Sequence, residues 1–184
     1  MANHVMIDLE TMGTGTKAAI ISIGAVKFNI DDGITDTFHV GVDLSSNKAV
    51  GMEIDAGTVM WWLSEDRAEA RRAWLALDKV DLGDALYGFA EWFNSNGETE
   101  VLAADIAGVW GNGATFDNVI LRSAFAGAYI PSPWPFWKDR CFRTMKVENP
   151  SVPEPMRQGT HHAALDDAIH QAKWLLNIWR GMAR

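Results

Sequence analysis

The chain has 184 residues, 48% of them hydrophobic, which favours one domain spanning 1–184 with a full core and excludes a disordered chain. Its formal charge of −8, with no basic run, argues against a protein that grips long duplex nucleic acid through phosphates. The single cysteine, Cys141, rules out an intramolecular disulfide. With no signal-peptide start and no membrane-length apolar run, the expectation is a soluble cytoplasmic protein with no membrane partner.

Val5, Met6, Ile7, Asp8 and Leu9 read as a first strand. Residues 11–16 are a loop by composition. A second strand is predicted over 19–28, a turn at Asp31, Asp32 and Gly33, and a third strand over 35–42. The short connections suggest an antiparallel meander. Apolar residues at helical spacing predict a helix over 55–63, and Ser64 is placed to cap a second one through 75. Leu82, Leu86, Phe89, Ala90 and Phe93 form the apolar stripe of a helix over 82–93. A buried strand over 106–110 closes on Gly111, Asn112 and Gly113, and a helix follows over 116–126. Residues 131–135 are irregular, 137–145 hold a short strand and a helix start, and 150–159 form a three-proline loop. The last helix is predicted over 162–179. Three strands followed by alternating helix and strand make an α/β domain with a mixed sheet. Nine tryptophans suit core packing and subunit contacts, which leaves a homodimer open.

Three clusters carry chemistry. Asp8 and Glu10 sit two apart on a strand, so both project from one face. Two buried acids repel each other unless a cation sits between them; the competing reading is that Glu10 lies past the strand end and both are solvated. Asp117 opens a helix after a glycine-rich strand end, where ligands gather in α/β sheets, although helix capping accounts for it equally. His161 and His162 precede the last helix, and Asp166 and Asp167 fall in its first turns. Periodicity does not choose between those two acids, and a solvated acidic first turn also suits the helix dipole.

In order and spacing these clusters resemble the DEDDh exonucleases of the ribonuclease H-like fold. The D-x-E-T motif is matched by Asp8, Leu9, Glu10 and Thr11. The Asn–aromatic–Asp motif is matched by Asn112, Phe116 and Asp117, and H-x-A-x-x-D by His162, Ala164 and Asp167. That register selects His162 over His161 and Asp167 over Asp166. Met60-Trp61-Trp62-Leu63, Gly111-Asn112-Gly113-Ala114, Phe136-Trp137 and Arg143-Thr144 are similar to the phage and prophage exonuclease VIII-like and exoribonuclease-like branch. Relatives often carry an Asp where this chain has Cys141, which leaves the role of that cysteine open.

The resemblance implies a mixed five-stranded sheet with its first three strands antiparallel, flanked by helices. It implies a 3′–5′ exonuclease acting on the 3′ end of single-stranded DNA or RNA in the cytoplasm, that of a bacterial host if the chain is phage-encoded. Asp8, Glu10, Asp117 and Asp167 would hold two cations, Mg²⁺ or Mn²⁺, with Asp8 bridging and His162 as general base. Thr11, Met12, Asn112 and Phe116 are the expected substrate contacts, and Trp134, Phe136 and Trp137 are further candidates for base stacking. A catalytically silent nucleic-acid-binding module and a structure-selective endonuclease are the alternatives on the same fold. No motif reads a 2′-hydroxyl, so the residues do not separate DNA from RNA.

Overall fold

The computed structural model describes residues 3–95 and 106–182. The sheet is built from β1 (Asn3–Thr11), β2 (Ile20–Asn29), β3 (Gly33–Val42), β4 (Lys79–Val80), β5 (Ile106–Gly111) and β6 (Asp139–Cys141). Its spatial order is β4-β3-β2-β1-β5-β6. The predicted meander is present: β1 pairs antiparallel with β2, and β2 with β3. β5 joins β1 in parallel and β6 joins β5 in parallel. The sheet therefore has six strands rather than five. The extra one, β4, is a two-residue exposed edge strand whose Lys79 and Val80 carry too little pattern to be read.

The helices are α1 (Ala56–Leu63), α2 (Ala68–Ala76), α3 (Leu82–Phe93), α4 (Asp117–Gly127), α5 (Phe142–Glu148) and α6 (Ala164–Met182). Asp55 caps α1 by accepting from the Thr58 N–H. Ser64 ends α1, and a 3₁₀ turn over Glu65–Arg67 separates it from α2, so Ser64 does not cap α2 directly. No described helix is long and apolar enough to cross a membrane.

The period-two alternation of β1 divides the core. Val5, Ile7 and Leu9 face one side and join Leu86, Phe89, Leu121 and Phe125 of α3 and α4. Met6 faces the other and joins Val26, Phe28, Phe142 and the apolar face of α6. Asp8 and Glu10 share the face of Met6, so they point toward α6. The sheet thus presents two carboxylates to the N-terminal end of the longest helix.

Candidate active site

A glycine sets the distance between that helix and the strands. Gly24 pairs with Asp8 across β1 and β2. A Cβ at Gly24 would lie 2.2 Å from the Ala164 carbonyl carbon and 2.3 Å from the Leu165 nitrogen. Only a residue without a side chain lets the α6 backbone lie directly on β2 beside Asp8. Asp167, in the first turn of α6, then meets the strand acids. Carboxylate oxygens of Asp8, Glu10 and Asp167 lie within 4.8 Å of one another. β1 runs to Thr11 and Glu10 is only 7% exposed, so Glu10 is on the strand and not solvated past its end.

Asp117 reaches the same place from the other side of β1. Its Oδ1 accepts from the Leu9 N–H at 3.2 Å. Gly111, at the end of β5, permits the approach, since a Cβ there would lie 2.5 Å from Asn118 Oδ1 and 3.0 Å from Asp117 Cβ. Asp117 is the first residue of α4 and makes no cap of its own, while the capping position belongs to Phe116. Capping therefore does not account for the acid at this position.

Geometry also separates the neighbouring acids and histidines. Asp166 Oδ2 accepts from the Thr160 N–H at 2.7 Å and is wrapped by the loop at Gly159, whose φ is +80°. Asp167 instead accepts from the His162 N–H at 2.9 Å and pairs with Arg157. α6 begins at Ala164, two residues after the predicted start, because His162 has φ 62° and cannot enter a helix. The His162 ring meets Trp61 edge-on, with centroids 5.0 Å apart, and stacks on the more exposed His161 at 4.0 Å. Atoms of both histidines lie within 4.8 Å of Asp167.

The electrostatics follow from packing acids together out of water. Burial, reinforced by Asp117, Glu10 and Asp167, holds the Asp8 carboxyl well above the usual range, against a Gln171 amide that donates to its Oδ1 at 2.7 Å. Burial, then Asp167 and Asp117, pushes Glu10 up to about 8. Burial pushes Asp117 up to about 7, against backbone N–H groups and the Arg143 charge. His162 is held below its ordinary value by burial first, then by His161 and Arg67, with Asp167 opposing. Ionised together without a counter-charge, these acids would repel strongly. Hard oxygen donors in such a group suit a divalent cation.

A cleft of about 690 Å³ runs over the acids. Of the expected substrate contacts, Thr11, Asn112 and Phe116 line it. Asn112 Oδ1 is buried with no hydrogen-bond partner among the described residues. Met12 does not line it. Its side chain is buried in the core, and its backbone N–H and carbonyl already bond Ala19 and Asp55. Trp134 is 2% exposed and packs against Phe89, Phe93 and Phe125, so it is a core residue. Phe136 and Trp137 are exposed and absent from the cleft wall. The residues missed from sequence are Gln171 and Arg157. Gln171 is four positions after Asp167 on α6, a spacing that a helical projection would have shown. Arg157 lies in a loop, where no periodicity speaks.

A family model, the 3′–5′ exoribonuclease Rv2179c-like domain, matches residues 3–179. The chain belongs to that family. It is thus a 3′–5′ exonuclease of the kind expected from its three motifs, in a family group that generally uses divalent metals. An exodeoxyribonuclease of Enterobacteria phage T4 is 28% identical over 161 residues, covering 76% of this chain and 68% of the relative, which agrees with the phage resemblance. The fold is also that of the nuclease domain of 3′hExo, a DEDDh family member bound to rAMP. The TM-score there is 0.62 at 16% identity, over 98% of this chain and 92% of that one. Exonuclease I of E. coli, in complex with a dT13 oligonucleotide, gives a TM-score of 0.66 at 12% identity over 96% of this exonuclease. This exonuclease spans 40% of that larger chain.

Proposed function

We propose that the protein removes nucleotides one at a time from the 3′ end of single-stranded DNA or RNA. In this reading Asp8, Glu10, Asp117 and Asp167 hold two divalent cations, Mg²⁺ or Mn²⁺. The convergence of Asp8, Glu10 and Asp167 oxygens within 4.8 Å, at the floor of a cleft, carries the proposal. Glu10 near 8 and Asp117 near 7 mark a site that needs added positive charge to be ionised at neutral pH. Two bound cations would activate the attacking water and stabilise the leaving 3′-oxygen.

The chain's own residues do the rest. Asp8 lies among the other three acids and is the one placed to touch both cations. Gln171 fixes the Asp8 carboxylate by donating to Oδ1. His162, kept neutral by its surroundings, takes the proton from the attacking water. Trp61 holds that imidazole edge-on in the cleft. Thr11, Asn112 and Phe116 contact the terminal nucleotide from the opposite wall. The whole chain, 1–184, acts as one cytoplasmic domain, and analytical ultracentrifugation tests whether it works as a monomer or a homodimer.

The test is purified protein with Mg²⁺ or Mn²⁺ on 5′-labelled single-stranded DNA and RNA. The expected product is a ladder shortening from the 3′ end, lost on chelation and in Asp8→Asn. Full activity in Asp8→Asn, or no hydrolysis of either substrate with either metal, would overturn the reading.

A further inference from the structure

The cleft does not stop at the acids. It continues into a groove between α5 and α6, walled by Phe142, Arg143 and Lys146 on one side and His170 and Trp174 on the other. Helical spacing explains the wall. His170 and Trp174 follow Asp167 by three and seven positions, so they extend the same face of α6 away from the site. Arg143 and Lys146 are three apart on α5 and share a face in the same way.

The groove reverses the charge of the molecule. The chain carries −8 overall, yet this wall presents two cations in a row. Among the described residues, neither Arg143 nor Lys146 has a carboxylate within 4.0 Å. Arg143 donates to the Asn112 carbonyl at 2.6 Å, and its charge is felt by Asp117. Lys146 Nζ lies 5.2 Å from the Trp174 ring centroid and 5.8 Å from that of Phe142. The acid on the facing wall, Glu154, is bonded to His170 at 2.8 Å.

Unpaired cations along an aromatic floor bind single-stranded nucleic acid, with phosphates on the cations and the flat groups on the rings. A 3′ exonuclease leaves one nucleotide on the 3′ side of the scissile bond, so a groove carrying two cations serves the longer 5′ side. Resting on the exonuclease reading above, we infer that the α5–α6 groove is a subsite for the single strand 5′ of the scissile bond. Arg143 and Lys146 hold its backbone phosphates, and Trp174 with Phe142 forms the surface beneath.

The test is binding of oligothymidylates of increasing length in Ca²⁺, at several salt concentrations. Wild-type affinity should rise with length. Lys146→Glu should weaken binding of the longer oligomers by about tenfold, remove most of the gain with length, and reduce the salt slope by about 0.7 for one lost phosphate contact. Lys48→Glu makes the same charge change on an exposed residue outside the cleft and should behave as wild type. If Lys146→Glu melts below the assay temperature, Lys146→Gln removes the charge more gently and should still cost length dependence. Unchanged length dependence in the folded Lys146 variant, or an equal loss in Lys48→Glu, overturns the groove. Wild-type protein that binds no oligomer at all would instead overturn the exonuclease reading on which the groove depends.

Discussion

Substituting Gly24 by alanine tests how the site is assembled without touching any acid. The added Cβ would lie 2.2 Å from the Ala164 carbonyl carbon, 2.3 Å from the Leu165 nitrogen and 2.4 Å from the Ala164 oxygen. These are backbone atoms at the start of α6, so no side chain can rotate away. Restoring ordinary contact, which begins near 3.4 Å, requires the start of α6 to retreat by about 1 Å. Asp167 and the His162 turn travel with it, because Asp167 accepts from the His162 N–H. Overpacking of this kind costs about 1–3 kcal/mol of stability. A misplacement of about 1 Å at a reacting centre costs on the order of 10²-fold in rate. Gly24→Ala should therefore melt several degrees lower and lose roughly two orders of magnitude in kcat. Thermal melts with single-turnover hydrolysis at saturating Mn²⁺ measure both. A variant with wild-type melting temperature and a rate within twofold of wild type would refute the claim that Gly24 sets the spacing.

His162→Ala should slow the chemical step by about 10²–10⁴-fold while His161→Ala has a much smaller effect, read by single-turnover rates at saturating metal; equal losses would mean that the histidines share the role. Because burial keeps the His162 pKa low, the neutral base should persist to lower pH, so the acid limb of the rate profile should fall below about pH 6.5 and disappear in His162→Ala. Glu10 and Asp117 have folded pKa values near 8 and 7 against ordinary values of 4.5 and 3.8, so the folded chain holds protons that the unfolded chain releases. Without metal, stability should be greatest below about pH 4 and decline as pH rises to about 8, and added Mn²⁺ should raise the melting temperature more at pH 8 than at pH 5; a metal-free melting temperature that climbs across this window would contradict it. Arg157→Gln removes the guanidinium that occupies Asp167 and should tighten Mn²⁺ binding by calorimetry, whereas weaker binding would show that Arg157 supports the cation instead of competing with it.

Much of the site was legible from local rules. Alternation along β1 put Asp8 and Glu10 on one face, because strand period is a property of the backbone alone. The bounds of α3 match its apolar stripe for the same reason, since a helix buries whatever side repeats every three to four residues. The motif register, carried by Asp8, Glu10, Asn112, Asp117, His162 and Asp167, named the family without any coordinate.

What only the tertiary structure decided depends on groups far apart in the chain. Asp166 and Asp167 are equivalent by periodicity, and they separate because Thr160 takes one while Glu10 and Asp8 face the other. Met12 and Trp134 look like surface contacts beside motif residues, yet the core claims both, since their apolar area is worth more there than in the cleft. Gln171 meets Asp8 across 163 positions of chain, and Arg157 reaches Asp167 from an irregular loop. No local pattern encodes such meetings. They exist because Gly24 and Gly111 let helices close onto strands until buried carboxylates must find a partner.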